Sequence, residues 1–344
     1  MPEKKFRPLI VPIFIPHQGC PHRCVFCEQE KITSHRAETG SQPDVAGILE
    51  SAIQSKTFDR RRRPQVAFYG GTFTRLPFEQ MRRLLKEAYV FVKRGFFCGI
   101  RVSTRPDALD DDRLGVMKEY GVSTVEIGAQ SMDDHVLDLS NRGHRAEHTA
   151  RAVRSLRTYG FRVGIQLMPG LPGDSRECFR STTTKVLDLH PDMARLYPAL
   201  VIRGTELARR YENGRYRPLG VEEAVEICAE SCIRLECNGI PVIRIGLMSS
   251  PRLLEKGQII AGPWHTAFGG LVRSHIYLKS IERDLPRPGE ATRIRIFAPQ
   301  RDIPLLRGYR NQGLRQIEMR TGAAVVCVEP DQTLAPGCIR IEKV

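Results

Sequence analysis

Cys20, Cys24 and Cys27 share one short stretch, His17-Gln18-Gly19-Cys20-Pro21-His22-Arg23-Cys24-Val25-Phe26-Cys27-Glu28-Gln29, with three residues and then two between them. Glycine, proline and polar side chains mark it as a loop. Three thiolates on such a loop can wrap one iron–sulfur cluster. A cubane [4Fe–4S] cluster usually takes four cysteines, so three leave one iron open. An open metal position is what catalytic sites keep and structural sites close. The same residues also allow a structural zinc, with His17 or His22 as the fourth ligand. The three cysteines alone leave both chemistries standing.

The elements that must position this loop follow from the patterning. Leu9 to Ile15 is an apolar run between prolines, a buried strand ending just before the cysteines. Pro43 to Gln54 reads as a helix, and Val66 to Tyr69 as a second strand closing on Gly70-Gly71-Thr72. Pro77 to Lys93 has Met81, Leu84, Leu85, Ala88 and Val92 near helical spacing. Strands are expected at Gly99 to Thr104, Val122 to Ile127, Phe161 to Met168 and Met193 to Tyr197. Helices Asp110 to Tyr120, Arg145 to Tyr159 and Ser175 to Leu189 lie between them, the first two stopped by Gly121 and Gly160. This alternation predicts an α/β fold with a parallel sheet and right-handed crossovers. Six units make a partial (β/α)6 TIM-like barrel, with its chemistry at the carboxyl ends of the strands.

Beyond Tyr197, helices are expected at Gly204 to Asn213 and Val221 to Cys237, and Pro241 to Leu247 is a candidate seventh strand. Residues 248 to 285 resist assignment. The last stretch reads as a small C-terminal α/β piece: strands at Arg293 to Phe297, Ala323 to Val328 and Ile339 to Ile341, and a helix at Leu314 to Met319. The expected division is residues 1–285 and 286–344.

The 344 residues are 41% hydrophobic with net charge +14. That composition supports a folded core. No apolar run reaches the length of a membrane span, and the first residues lack a secretion signal. A cytoplasmic protein without a membrane partner is expected, its ten cysteines serving as metal ligands or buried thiols. Arginine supplies most of the surplus charge, including Arg60-Arg61-Arg62-Arg63, and favours a phosphate-bearing partner. Cys228 and Cys232 fall on one helical stripe with Val221, Val225 and Leu235 and read as core, not as a second cluster. Cys98, Cys178, Cys327 and Cys338 are isolated.

The cysteine spacing, the glycine turn one βα unit later, and three further stretches resemble the radical S-adenosylmethionine (SAM) superfamily. Those stretches are Glu126-Ile127-Gly128-Ala129-Gln130-Ser131, Leu139-Ser140-Asn141-Arg142-Gly143-His144, and Val163 to Asp174. Tyr197-Pro198 and Arg203-Gly204-Thr205 extend the likeness, which covers about residues 9 to 280. It resembles the radical SAM domain of the Elongator catalytic subunit and, more distantly, oxygen-independent coproporphyrinogen dehydrogenase.

The resemblance implies that Cys20, Cys24 and Cys27 bind a [4Fe–4S] cluster and that SAM completes it. Phe26 would lie near the adenine, and Gly70, Gly71 and Thr72 would meet the methionine amine. Ser103, Gln130, Arg142 and Gln166 would contact ribose, carboxylate or adenine. An electron donor such as flavodoxin or ferredoxin is implied, and RNA, specifically tRNA, is the expected substrate. A small molecule or tetrapyrrole is the alternative substrate, and a zinc-stabilised binding protein the non-enzymatic alternative. Two departures stand out. The Elongator subunit spaces its first two cluster cysteines much further apart. The residues after 285 are too few for its acetyltransferase domain, so its wobble-uridine chemistry is not expected to carry over whole.

Overall fold

The computed structural model describes residues 8–21, 23–34 and 43–344. The first residues and His22, named above as a zinc ligand, lie outside them. Seven strands lie side by side in chain order, every neighbour parallel: β1 (Ile10–Phe14), β2 (Gln65–Tyr69), β3 (Ile100–Thr104), β4 (Val122–Gln130), β5 (Arg162–Leu167), β6 (Met193–Leu196) and, after the short β7 (Val201–Ile202), β8 (Val242–Ile245). The candidate seventh strand is therefore part of the sheet. β7 pairs antiparallel with β9 (Ile259–Ala261) as a separate ribbon.

Strands wound in one direction put every crossover helix on one face, so the sheet curls toward a barrel. β1 and β8 remain edges, and the barrel is open. The crossovers carry α1 (Gln29–Thr33), α2 (Val45–Gln54), α3 (Phe78–Lys93), α4 (Asp111–Glu119), α5 (Asp134–Leu139), α6 (Ala146–Thr158), α7 (Arg176–Leu189), α8 (Glu206–Glu212) and α9 (Val221–Cys237). Side-chain oxygens of Asp44, Asp110, Asp133, Ser175 and Thr205 cap α2, α4, α5, α7 and α8 by accepting a first-turn backbone N–H.

Side chains alternate across each strand. Val66, Phe68, Ile100, Val102, Val125, Ile127, Val163 and Ile165 point to the helix layer and are wholly buried. On α3, Met81, Leu84, Leu85 and Ala88 are buried as expected, but Phe91 completes the stripe instead of Val92. The opposite face of the sheet lines the lumen. It carries Gln65, Tyr69, Arg101, Ser103, Glu126, Gln166 and Arg195, a polar set where a closed barrel would pack branched aliphatics.

Residues 220–234 and 264–344 form a second compact unit. Its sheet has β10 (Arg293–Ala298) at the centre, parallel to β11 (Ala324–Pro330) and antiparallel to β12 (Arg340–Lys343). Helices α10 (Phe268–Ser280), α11 (Ile303–Arg307) and α12 (Gln312–Thr321) belong to this unit. Tyr277, Ile281, Ile294, Ile296, Leu306 and Ile317 form its core, so α10 shares a core with residues beyond 285. Among the described residues no helix is long and apolar enough to cross a membrane.

Candidate functional site

The cysteine loop leaves the carboxyl end of β1 beside the Gly70-Gly71-Thr72 turn that leaves β2. One side chain ties them together. Gln29 Oε1 accepts from the backbone N–H of His17 (2.6 Å) and of Gly71 (2.7 Å), while Gln29 N–H donates to His17 Nε2 (3.2 Å). Thr72 N–H donates to the Gln18 carbonyl at 2.8 Å. The packing leaves no room for a side chain at Gly19 or Gly71. A Cβ on Gly19 would lie 2.3 Å from the Thr72 carbonyl oxygen, and one on Gly71, at φ +59°, would lie 2.1 Å from that of Gln18.

A second set of contacts holds the other flank. Arg142 Nη1 donates to Cys24 Sγ at 2.9 Å, and Nη2 donates to the Gly128 carbonyl at 2.6 Å. Asn141 Nδ2 donates to the Arg23 carbonyl (3.0 Å), and Val25 N–H donates to that of Ser140 (3.2 Å). From α8, Leu207 N–H donates to the Val25 carbonyl at 2.7 Å. Phe26 packs against Val136, Leu171 and Ala199.

The thiols sense one another. Burial raises the pKa of Cys20, partly offset by Thr72, whose Oγ1 lies 3.4 Å from its sulfur. Burial, reinforced by the charges of Cys24 and Cys20, pushes Cys27 up to about 12. Such thiols ionise readily only against a compensating cation, which is what a thiolate-ligated metal centre requires. Among the described residues no three His, Cys, Asp or Glu side chains converge as they would on a single ion. Cluster ligands bind separate irons and surround a body rather than a point. His17 Nε2, the remaining zinc candidate among the described residues, already accepts from Gln29. Three thiols on one loop, with the Arg142 guanidinium against Cys24, are a donor set that fits a [4Fe–4S] cluster.

Across the mouth, Gln166 Nε2 donates to Gln130 Oε1 at 3.2 Å. Gln130 holds a left-handed φ of +69° while its carbonyl accepts from Met168 N–H at 2.8 Å. A non-glycine residue in that region marks a place where surrounding structure overrides local preference, often at a site. Ser103 reaches the lumen side by side with Glu126. Below them lies a charged floor. Glu126 Oε1 accepts from Arg101 Nη1, from Arg195 Nη2 at 2.8 Å and from the Tyr69 hydroxyl at 3.3 Å. Arg195 Nη1 also donates to the Tyr197 hydroxyl at 2.9 Å, and Arg101 Nη2 to Gln65 Oε1 at 2.9 Å.

The radical SAM superfamily profile matches residues 14–186, and its C-terminal domain, the Radical_SAM C-terminal domain, matches residues 191–278. The chain belongs to the radical SAM superfamily. Its relatives include a tRNA uridine(34) acetyltransferase of Methanocaldococcus infernus, 38% identical over 37% of this chain and 24% of that protein. They also include human Elongator complex protein 3, 27% identical over 67% of this chain and 51% of that protein. The chain thus spans about a quarter to a half of the length of these relatives. Among solved structures, the archaeal Methanocaldococcus infernus Elp3 with an N-terminal deletion superposes with a TM-score of 0.59 at 23% identity, over 80% of this chain and 63% of that one. The fold is the one expected, a partial TIM-like radical SAM core. The protein is an enzyme of that superfamily, whose cofactors are a [4Fe–4S] cluster and SAM.

Within this radical SAM enzyme the structure brings most of the expected residues to one mouth. The cysteines, Gly70, Gly71, Thr72, Gln130, Arg142 and Gln166 cluster through the contacts above. Arg142 has two of its N–H groups committed to Cys24 and Gly128, and its Nε is buried without a partner. Sequence reasoning missed Gln29, which is one glutamine among many polar loop residues. It also missed the Arg101–Glu126–Arg195 floor, whose members come from three strands far apart in the sequence. Cys228 and Cys232 are buried on α9, and Cys98 and Cys338 are exposed. His265 stacks edge-on to Tyr309 with centroids 4.5 Å apart, in the second unit.

Proposed function

We propose that Cys20, Cys24 and Cys27 hold the [4Fe–4S] cluster, that SAM completes it at the open iron, and that the substrate is RNA, specifically tRNA. When bound, the cluster supplies the one electron that splits the SAM sulfonium and yields a 5′-deoxyadenosyl radical, with flavodoxin or ferredoxin as the donor. The observation that carries the reading is the Gln29 bridge, which locks the thiol loop to the Gly70-Gly71-Thr72 turn in one rigid frame.

This chain's own residues then divide the work. The Gly70-Gly71 backbone lets the methionine amine approach closely. Arg142, against Cys24, balances thiolate charge with a charge-assisted hydrogen bond. Phe26 sets its ring in the apolar cluster of Val136 and Leu171 and excludes water from that flank. Ser103, Gln130 and Gln166 present hydroxyl and amide groups for the ribose and adenine. The net charge of +14 and two relatives named as tRNA uridine(34) acetyltransferases support RNA as substrate.

Anaerobic reconstitution tests the first part: three to four irons per chain and absorption near ~400 nm are expected of a cubane on thiolates. Replacing any of the three cysteines by alanine abolishes both. Turnover with SAM, dithionite and total tRNA tests the second, with 5′-deoxyadenosine rising above the control without RNA. Stoichiometric zinc without iron overturns the first part, and an unchanged deoxyadenosine yield overturns the second.

A further inference from the structure

The run Arg60 to Arg63 is the obvious place to seat a phosphate backbone, but the fold argues against it. It precedes β2 and so lies at the amino ends of the strands, opposite the mouth, where Arg61 pairs with Asp59 at 3.0 Å and Arg60 covers the Phe96 ring. The arginines that do reach the mouth follow β6. Residues 203–219 contain Arg203, Arg209, Arg210, Arg215 and Arg217 against Glu206 and Glu212. Their helix, α8, is hydrogen-bonded to the thiol loop through Leu207 and Val25.

Of these, Arg210, Arg215 and Arg217, with Tyr216, wall a cleft of about 260 Å³ with the Gly170–Asp174 loop that leaves β5. Arg210 is fixed by Nη1 donating to the Leu139 carbonyl at 2.8 Å. Tyr216 is fixed by its hydroxyl donating to the Gly170 carbonyl at 2.6 Å. Arg215 and Arg217 are exposed, and among the described residues their side chains make no ion pair or hydrogen bond. Leu171, which lines the cleft, belongs to the apolar cluster against which Phe26 of the cysteine loop packs.

We propose that this cleft receives the phosphate backbone of the RNA substrate, with Arg215 and Arg217 on successive phosphates and the anchored Tyr216 ring as a stacking wall. Unpaired arginines give charge without first breaking a bridge, and a fixed aromatic between them is the pattern of single-stranded RNA grooves. A narrow concavity suits a phosphate chain better than a protein partner, which needs a broad surface. The proposal rests on the RNA reading above.

The test is tRNA binding by reconstituted protein, wild type against Arg215→Ala with Arg217→Ala, over a salt series. The double variant is expected to bind about tenfold more weakly at physiological salt, with a salt slope smaller by roughly 2, one per lost phosphate contact. Scrambled RNA should weaken equally, and iron content should hold. The control Arg61→Ala with Arg62→Ala should leave both affinity and slope unchanged. If wild type binds tRNA and the cleft variant binds it equally well, the cleft is wrong while the RNA reading stands. If wild type binds no RNA, both fall. Loss of reduction by flavodoxin with RNA binding intact would make the cleft a dock for an acidic protein and overturn the proposal.

Discussion

Replacing Glu126 by alanine removes the buried carboxylate that the Arg101 and Arg195 guanidiniums share. The Arg101, Arg195 and Glu126 side chains are 4%, 17% and 5% exposed, so the arginines cannot turn to bulk water without opening the barrel. Breaking a buried pair by deleting one partner costs about 3–5 kcal/mol, because a charge is left uncompensated. Here two charges are left, which places Glu126→Ala at the upper end of that range. Glu126→Gln keeps the shape and one acceptor oxygen but loses the charge, and should cost about 1–3 kcal/mol. Urea unfolding of the anaerobic protein reads this directly. With a slope of roughly 3 kcal/mol per molar for a chain of this size, the alanine variant's midpoint should fall by about 1.5 M at unchanged slope. Glu79→Ala, at a carboxylate 80% exposed on α3, serves as the reference. A midpoint for Glu126→Ala within error of that reference would refute the reasoning and mean that the lumen floor is solvated.

The frame of the cysteine loop yields three more expectations. Gly71→Ala places a methyl group 2.1 Å from a backbone oxygen at a left-handed φ, costs on the order of 2–4 kcal/mol, and should lower both melting temperature and iron retention; a wild-type melting curve would count against the interlock. Gln29→Ala strands two backbone donors, each worth about 1–3 kcal/mol when buried, and should slow iron loading, while Gln29→Glu restores the acceptor and the loading; equal loading by all three proteins would contradict the bridge. His144 is buried, and burial followed by the charges of Arg142 and Arg105 lowers its pKa to about 3. An unfolded histidine near 6.5 binds protons first as pH falls, so its contribution is full above about 6.5 and is lost between 6.5 and 3, at up to about 1.4 kcal/mol per pH unit. His144→Phe should flatten that acid limb in urea midpoints measured from pH 7 to 4.5, and an unchanged limb would show that other groups set it.

The barrel was readable because parallel strands buried on one face repeat as apolar runs, and because glycines end the helices between them. The three cysteines and the Gly70-Gly71-Thr72 turn announced the mouth for the same reason: their residue types tolerate little else. What escaped notice depends on long-range geometry. In Ile100-Arg101-Val102-Ser103-Thr104 an arginine between aliphatics reads as a solvent-facing position, and only closure of the lumen turns it inward onto Glu126. Helix α10 begins Phe268-Gly269-Gly270, and two glycines in a first turn hide a helix that tertiary packing of Tyr277 and Ile281 enforces. β7 and β9, two and three residues long, carry too little pattern to be seen at all.

The bonds that tie the cysteine loop to the Gly70-Gly71-Thr72 turn run through Gln29, His17, Gln18 and the Thr72 backbone, while the sulfurs enter through Arg142 on Cys24 and the Thr72 hydroxyl near Cys20. The tie itself is built by amide and carbonyl groups that oxygen does not attack. A loop framed in this way is expected to stay folded when iron is lost, so that repair asks for iron, sulfide and electrons and not for refolding of the chain.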